Sequence, residues 1–114
     1  MLNYMKIPIS KHEDERRILI EWIHDQPIRT CKVILVKQDC ELGNHMHKYK
    51  TDSFFLLKGT GTYQIGGSSG KLVEGSAYRA DKRVPHTFYL DKGAILLESS
   101  STPYDKEDEI SILE

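Results

Sequence analysis

The chain has 114 residues, and its 16 lysines and arginines nearly balance its 17 aspartates and glutamates, so the formal net charge is −1. A chain of this length is typical of one domain that buries about two thirds of its unfolded surface. The balanced charge excludes a global field that would attract nucleic acid or an anionic membrane, and neither is predicted as a partner.

The sequence carries no sign of membrane insertion or secretion. No run of 18 apolar residues occurs, and Met1–Lys6 lacks the basic-then-apolar order of a secretion signal, so we expect a cytoplasmic protein. Cys31 and Cys40 are the only cysteines, and a domain with an adequate core needs no bridge in a reducing compartment. Both are expected to be free thiols, since no CxxC spacing or second pair supports a zinc site.

Residues 1–30 are predicted to form N-terminal strands that act as a dimer arm. Lys11–Ile23 is ambiguous, because its charged start could open a helix while Ile18–Ile23 favours a strand, and we predict a strand. Trp22 is expected to cover a sheet or a dimer contact. Two histidines flanked by charged residues are expected at the surface: His12 and His24.

Residues 31–100 break into short apolar runs separated by Gly, Asp, Lys or Pro, a rhythm typical of an all-β sandwich or barrel. The run Phe54–Leu57 is apolar on both faces and is predicted to be a strand buried on each side. Gly66–Gly70 is predicted to be the turn of a hairpin. The predicted strands are Cys31–Lys37, Ser53–Lys58, Thr62–Ile65, Ser76–Ala80, Thr87–Leu90 and Ala94–Glu98, with Lys71–Val73 as the second strand of the hairpin.

The last residues, 101–114, form an acidic tail. Pro103–Glu109 is interpreted as a solvated turn and Ile110–Leu113 as a short final strand. Since neither an internal repeat nor a linker interrupts the chain, residues 1–114 are predicted to form a single domain.

The most informative feature is a set of three histidines and one carboxylate. His45 and His47 are two apart on a predicted strand and therefore point to the same face. Asp52 follows a short loop, and His86 begins another strand after a proline. Three imidazoles and a carboxylate suit Zn, Fe, Mn or Ni better than Ca or Mg, so the four residues are predicted to bind a divalent transition metal. The short Asp52 side chain leaves an alternative, in which it hydrogen-bonds an imidazole instead of the ion.

These residues resemble the two sequence motifs of the cupins. The second half of the motif G(X)5HXH(X)3-4E(X)6G is matched by His45, His47, Asp52 and Gly59, and the spacing of G(X)5PXG(X)2H(X)3N is kept by Gly75, Asp81, Arg83 and His86. The resemblance implies an all-β, single-domain cupin, an RmlC-like jelly roll that forms a double-stranded antiparallel β-barrel. The chain departs from the motifs where Asp52 replaces Glu, Asp81 replaces Pro, Arg83 replaces Gly, Leu90 replaces Asn, and Gly43 lies closer to the histidines.

Shorter segments resemble cupins that act on nucleotide-linked sugars. Asp14–Glu21 is similar to their D-x-R-G-x-[FL]-x-E signature, with Arg17 in place of Gly. Gly43–Lys48 is similar to the R-G-x-H-A-H-K motif of sugar 3,4-ketoisomerases, with Leu42 in place of Arg, and Gly43–Asp52 resembles the GNHYHHTKTE stretch of capsule-sugar reductases. The ending Ser99–Asp108 resembles the segment A-S-x-x-Y-D-x-x-D-Y that closes the ketoisomerases.

The narrower resemblance implies an isomerase or epimerase that moves a carbonyl along a keto sugar through an enediol. A histidine suits this proton transfer because its pKa lies near neutrality. By resemblance, His47 is the leading base and His45 a second acid–base or hydrogen-bonding group, while Tyr63 or Tyr78 is a candidate proton donor. The implied partners are a small-molecule substrate, such as a nucleotide sugar, and a second copy of the chain in a homodimer.

The two resemblances conflict at His86. Ketoisomerases of this type work without metal, whereas a full set of three histidines indicates metal, and an imidazole bound to an ion cannot act as a free base. A metal would instead polarise a keto group as a Lewis acid. Two other classes stay open, namely a metal-dependent oxygenase-type cupin and a non-catalytic cupin that only binds a small ligand.

Basic residues near the motifs are candidates for contacts with an anionic substrate. Lys48, Tyr49 and Lys50 are interpreted as a solvated loop at the barrel mouth, with Lys48 kept as a candidate substrate contact. Arg79 and Arg83 are the better candidates, because a guanidinium binds phosphate or carboxylate through two parallel hydrogen bonds.

Overall fold

The computed structural model describes residues 4–23, 27–101 and 109–111, without the side chains of residues 4–7, 44, 45 and 109–111. This part of the chain contains twelve strands, and no helix in it is long and apolar enough to cross a membrane. The strands are β1 (Tyr4–Ile7), β2 (Ser10–Glu13), β3 (Ile18–Glu21), β4 (Thr30–Leu35), β5 (Cys40–His47), β6 (Asp52–Lys58), β7 (Gly61–Ile65), β8 (Ser68–Leu72), β9 (Ala77–Ala80), β10 (His86–Leu90), β11 (Ile95–Ser100) and β12 (Glu109–Ser111).

Two five-stranded antiparallel sheets form the barrel. One has the order β1-β9-β6-β11-β4 and is called sheet A here, and the other has the order β12-β5-β10-β7-β8 and is called sheet C. β2 and β3 form a separate hairpin. This is the two-sheet jelly-roll architecture that the resemblance implies, so the predicted all-β fold is confirmed.

The main core lies between the inner faces of the two sheets. Because strand side chains alternate between faces, every second residue of β6 and β11 points inward, as Phe54, Leu56 and Leu96 do. Phe54 packs against Phe88 of β10 with their ring centroids 4.5 Å apart, which ties sheet A to sheet C. The other members of this core are Val36, Ile65, Leu72, Tyr78, Ala80, Val84, Leu90 and Ala94.

A smaller cluster covers part of the outer face of sheet A. Phe55 and Ala77 are buried there beneath Trp22 and Ile9 of the N-terminal segment, and the rings of Trp22 and Phe55 lie 5.7 Å apart. The prediction that Trp22 covers a sheet is confirmed. The cover ends before Leu57, which is 50% exposed, so the prediction that Phe54–Leu57 is buried on both faces is wrong at its last residue.

Most predicted strands are confirmed, with bounds shifted by one to three residues. The ambiguous segment Lys11–Ile23 forms strand β3 and most of β2 instead of a helix. The predicted five-residue turn is shorter than expected, because Gly66 alone turns the chain at positive φ and β8 already begins at Ser68.

The remaining outcomes concern single residues and the tail. Both cysteines are free and His12 is exposed, as predicted. His24 and residues 102–108 lie outside the described residues. The predicted strand Ile110–Leu113 is described only as far as Ser111.

Arg83 occupies a backbone position that favours glycine. Its φ of 65° makes it the one non-glycine residue with positive φ among those described, and it stands where the second cupin motif has Gly. In this turn its backbone N–H donates a hydrogen bond to the His47 carbonyl oxygen, with a nitrogen-to-oxygen distance of 2.5 Å. The left-handed conformation costs a residue with a Cβ about 1–2 kcal/mol.

We therefore expect Arg83→Gly to stabilise the fold by about 0.5 kcal/mol, because the relieved strain exceeds the entropy that glycine adds to the unfolded chain. The neighbouring Lys82→Gly is the matched control, since Lys82 is exposed and lacks positive φ, and it should lower stability instead. Urea unfolding of both variants measures the effect. Equal destabilisation by the two substitutions would contradict this account.

Candidate active site

A bulge in β5 directs His47 into the barrel. Leu42 packs against the core, so simple alternation would point Met46 inward and His47 outward. The pairing of β5 with β10 shifts register between His45, opposite His86, and Gly43, opposite Thr87. The extra residue reverses the alternation, and His47 is only 3% exposed.

Gly43 makes this bulge possible for two reasons. Its φ of 97° lies in the region that residues with a Cβ rarely adopt. A Cβ built on it would also lie 2.8 Å from the carbonyl oxygen of His86 on the neighbouring strand. The glycine that precedes the two histidines is therefore needed for the backbone on which His47 is placed.

Asp52 begins β6 and lies at the centre of a buried polar cluster. Its exposed fraction is 1%, and its Oδ1 accepts a hydrogen bond of 2.7 Å from Ser100 Oγ on the paired strand β11. Lys50 Nζ lies 3.8 Å from the same oxygen. The other oxygen, Oδ2, lies 3.3 Å from His47 Nε2 and 3.8 Å from His86 Nε2.

These contacts keep Asp52 ionised. Burial by itself raises the pKa of a carboxyl, because it disfavours the charged form. Here the hydrogen bonds from His47 and Ser100 and the positive charge of Lys50 outweigh burial, and the pKa of Asp52 lies below its usual value. The site therefore contains a fixed negative charge beside two imidazoles.

His86 places its two ring nitrogens near two different oxygen atoms. Its Nδ1 lies 3.2 Å from the carbonyl oxygen of Val84, which can only accept, so Nδ1 carries a proton. The neutral ring then presents a lone pair at Nε2 to the carboxylate oxygen, which is repulsive. A metal ion bound at Nε2 would remove that repulsion.

His47, Lys50 and His86 line a cavity of about 180 Å³ between the sheets. A water occupies roughly 30 Å³ in the liquid, so the volume corresponds to about six waters, smaller than the ~300–1,000 Å³ of sites for drug-sized ligands. The cavity therefore suits a small molecule or one ring of a larger one. The other lining residues are Lys32, Ile34, Leu42, Gly43, Phe54, Phe88, Leu96 and Glu98.

Three charged residues of this site were not predicted as members. Lys50 is 3% exposed, so its interpretation as part of a solvated loop is wrong: its ammonium group is held near the Asp52 carboxylate. Lys32 of β4 and Glu98 of β11 are opposite each other in register, and both line the cavity. Alternation from Leu96 places Glu98 on the inner face of β11, and this signal is present in the sequence.

The pKa of Glu98 shifts in the opposite direction from that of Asp52. Burial and the negative charge of Asp52 raise the pKa of Glu98 above its usual value, although Lys32, Lys50 and His47 act to lower it. The pKa values of the two carboxyls therefore shift in opposite directions, so Asp52 is ionised and Glu98 is more readily protonated.

Of the four predicted metal ligands, the structure brings three together. One ligand atom of His47, one of Asp52 and one of His86 all lie within 4.8 Å of one another, and all three residues are buried. The backbone of His45 pairs with His86 and Ser111, but its side chain lies outside the described residues. Its role stays a prediction.

The donor set fits a divalent transition metal. Two ligand atoms bonded to zinc at ~2.0–2.1 Å in a tetrahedral site lie about 3.3 Å apart. His47 Nε2 and Asp52 Oδ2 have that separation, and His86 Nε2 lies 3.8 Å from the same oxygen. His86 also bonds a backbone carbonyl through its second nitrogen, as metal-binding histidines do.

The two predicted tyrosines lie away from the cavity. Tyr78 is buried in the core, where its hydroxyl accepts a hydrogen bond of 3.0 Å from the Val73 N–H. Tyr63 packs beside it, with the ring centroids 5.1 Å apart. Neither residue is among those that line the cavity.

The three predicted substrate contacts are also outside the cavity lining. Arg79 is buried and donates from Nε to Ser53 Oγ at 3.4 Å. Ser53 follows the inward-pointing Asp52, so this contact lies on the outer face of sheet A. Arg83 is exposed and Lys48 is partly exposed. None of the three lines the cavity.

Comparisons with known proteins agree with this architecture. Residues 32–97 match the family described as Cupin domain. Comparison with curated protein sequences gives no significant match.

Solved structures with the same fold include enzymes of sugar metabolism. The TDP-fucose-3,4-ketoisomerase WlaRA from Campylobacter jejuni is similar with a TM-score of 0.80 and 22% identity over 96% of this chain and 89% of that one. A mutant of the 3,4-ketoisomerase QdtA from Thermoanaerobacterium thermosaccharolyticum, in complex with TDP-4-keto-6-deoxyglucose, has a TM-score of 0.78 and 19% identity over 96% and 88%. The 3'-monoepimerase ChmJ from Streptomyces bikiniensis, in complex with dTDP-quinovose, has a TM-score of 0.80 and 18% identity over 96% and 69%.

The role of the β5 bulge is tested by Gly43→Ala. We expect it to cost about 1–3 kcal/mol of stability, because the new methyl group meets the His86 carbonyl oxygen and the backbone is strained at positive φ. The matched control Gly67→Ala has open space around its Cβ and should change stability by less than about 0.5 kcal/mol. Urea unfolding gives both values, and indistinguishable effects would show that the bulge tolerates a side chain.

Proposed function

The chain belongs to the cupin family, and we propose that it is an isomerase or epimerase of a nucleotide-linked keto sugar, with His47 as its general base. The observation that carries the proposal is the buried pair of His47 and Asp52, whose Nε2 and Oδ2 lie 3.3 Å apart, with His47 lining the cavity. A carboxylate beside an imidazole stabilises the imidazolium that forms when the ring takes up a proton.

The reaction needs a base that takes a proton from the carbon beside a keto group. When His47 takes this proton, the ring becomes an imidazolium, and the ionised Asp52 stabilises it. The substrate then passes through an enediol, and the imidazolium, after exchanging its proton with solvent, protonates the neighbouring carbon. Epimerisation needs return to the other face of the same carbon.

The size of the cavity supports a substrate of which one sugar ring enters the barrel. About 180 Å³ holds such a ring, while a nucleotide would remain outside. The apolar side chains of Phe54, Phe88 and Leu96 line part of the cavity and would exclude water from the reacting carbon. The ligands named for the similar ketoisomerase and epimerase structures, TDP-4-keto-6-deoxyglucose and dTDP-quinovose, support the same substrate class.

A metal-dependent cupin is the second candidate function, and the donor geometry at Asp52 favours it. His47, Asp52 and His86 would hold the ion, with His45 as the fourth residue that the sequence predicts. A bound Zn, Fe, Mn or Ni ion would supply Lewis acidity toward a carbonyl oxygen. In that state His47 would bind the ion and would not be available as a base, so the same imidazole cannot serve both functions at once.

Two further predictions from the sequence stay predictions, namely a cytoplasmic location and a homodimer. The outer face of sheet A supports the homodimer, because Val33, Leu35 and Leu57 are at least half exposed there beyond the cover provided by Trp22. A soluble monomer seldom leaves such side chains contiguous and exposed.

Turnover of TDP-4-keto-6-deoxyglucose tests the proposed reaction. The wild-type protein should convert it to an isomer, and His47→Gln should lower kcat by about 10²- to 10⁴-fold, because glutamine has a similar polar reach but cannot take up the proton. His12→Gln is the matched control, since His12 is exposed on β2, and should keep full activity. Absence of turnover and of binding across a panel of nucleotide-linked keto sugars would refute the proposal.

Elemental analysis of the purified protein separates the two candidate functions. A metal-dependent cupin should contain nearly one ion per chain, and both His47→Gln and His86→Gln should lose it, because each removes one donor atom. His12→Gln should retain the ion. If metal content is equally low in all three variants and in the wild type, and added Zn, Fe, Mn or Ni does not raise the melting temperature, the metal-dependent alternative is wrong.

A further inference from the structure

Glu98 lies on the inner face of β11 beside the proposed reaction site. Leu96 and Glu98 line the cavity, and Ser100, the next inward residue, donates to Asp52. The cross-strand neighbours of Glu98 are Lys32 of β4 and Phe54 of β6, and both also line the cavity. Glu98 therefore belongs to the cavity wall on sheet A, while His47 belongs to the wall on sheet C.

The proposed reaction needs a second group that handles protons on oxygen. As the carbon beside the keto group loses its proton, the carbonyl oxygen becomes a hydroxyl, and the neighbouring hydroxyl later becomes the new carbonyl. Tyr63 and Tyr78, the proton donors that the resemblance implies, do not line the cavity. Among the described residues that line it, Glu98 is the one carboxylic acid.

We propose that Glu98 is the catalytic acid and base for the substrate oxygens, acting from the wall opposite His47. This inference rests on the proposed isomerase function and adds a residue that the cupin motifs do not contain. Its basis is the position of the carboxyl in the cavity, between a lysine that supplies positive charge and a phenylalanine that excludes water.

The proton transfers balance without any added reagent. In the first half, the C–H bond beside the keto group breaks toward His47, a carbon–carbon double bond forms, and the Glu98 carboxyl gives its proton to the carbonyl oxygen. In the second half, the Glu98 carboxylate takes the proton of the adjacent hydroxyl as the new carbonyl forms, and the His47 imidazolium protonates the other carbon. Both residues return to their starting states, and no oxidant or reductant is consumed.

The charges around Glu98 suit this role. Asp52 and burial favour the protonated form, whereas Lys32, Lys50 and His47 favour the ionised form, and the net effect raises the pKa of Glu98. Catalysis that starts from the protonated carboxyl should therefore weaken as the pH rises through the pKa of this group.

Glu98→Gln tests the inference, because glutamine keeps the size and hydrogen-bonding reach of the side chain but cannot exchange the proton. With TDP-4-keto-6-deoxyglucose as substrate, we expect kcat to fall by about 10²- to 10⁴-fold while KM changes less than about threefold. The high-pH loss of activity that depends on Glu98 should also disappear. Glu41→Gln, an exposed glutamate on the outer face of β5, is the matched control and should behave like the wild type.

Glu98→Asp is the second variant, which also covers the case that Glu98→Gln fails to fold in a thermal melt. Glu98→Asp keeps a carboxyl and should retain at least tenfold more activity than Glu98→Gln. If Glu98→Gln is unfolded, Glu98→Asp should still show a measurable fraction of wild-type activity. A wild-type protein that turns over normally, with Glu98→Gln within about threefold of it, would overturn this inference alone. A wild-type protein without turnover would overturn the proposed function and this inference together.

Discussion

The buried charge of Asp52 is the constraint on which the site depends. A carboxylate that is 1% exposed must be compensated inside the barrel, since water does not reach it. Separate elements supply the compensation, with His47 from β5, Lys50 from the following loop, His86 from β10 and Ser100 from β11. Because these residues come from both sheets, the site exists only where the two sheets pack against each other.

The same charge organises the chemistry around it. It lies beside Nε2 of His47 and Nε2 of His86, the two imidazole nitrogens with which it would hold a metal ion. Burial raises the pKa of Glu98 on the adjacent strand, and the charge of Asp52 adds to that rise. The buried Asp52 is thus ionised beside two imidazoles, whereas the Glu98 carboxyl is separated from it in pKa and is more readily protonated. That separation suits proton transfer to and from adjacent carbon and oxygen atoms.

Much of the fold could be predicted because strand periodicity and turn residues are local properties. His47, Asp52 and His86 could be predicted as a cluster because their spacing matches the cupin motifs. Lys50 could not, since it stands in a loop between two motif residues, and its burial depends on the position of Asp52. The inward direction of His47 likewise depends on a bulge at Gly43, which simple alternation along β5 does not show. Arg79 shows the same dependence on packing, because its guanidinium is buried on the outer face of sheet A and does not line the cavity.

The most direct test of the central claim is uptake of solvent deuterium by the substrate. The wild-type protein, incubated with TDP-4-keto-6-deoxyglucose in D₂O, should place deuterium on carbon beside the keto group, as followed by proton NMR. Both His47→Gln and Asp52→Asn should slow this uptake by at least about 10²-fold, whereas His12→Gln should not change it. Uptake at the wild-type rate in the His47 and Asp52 variants would contradict the claim that this pair transfers the proton.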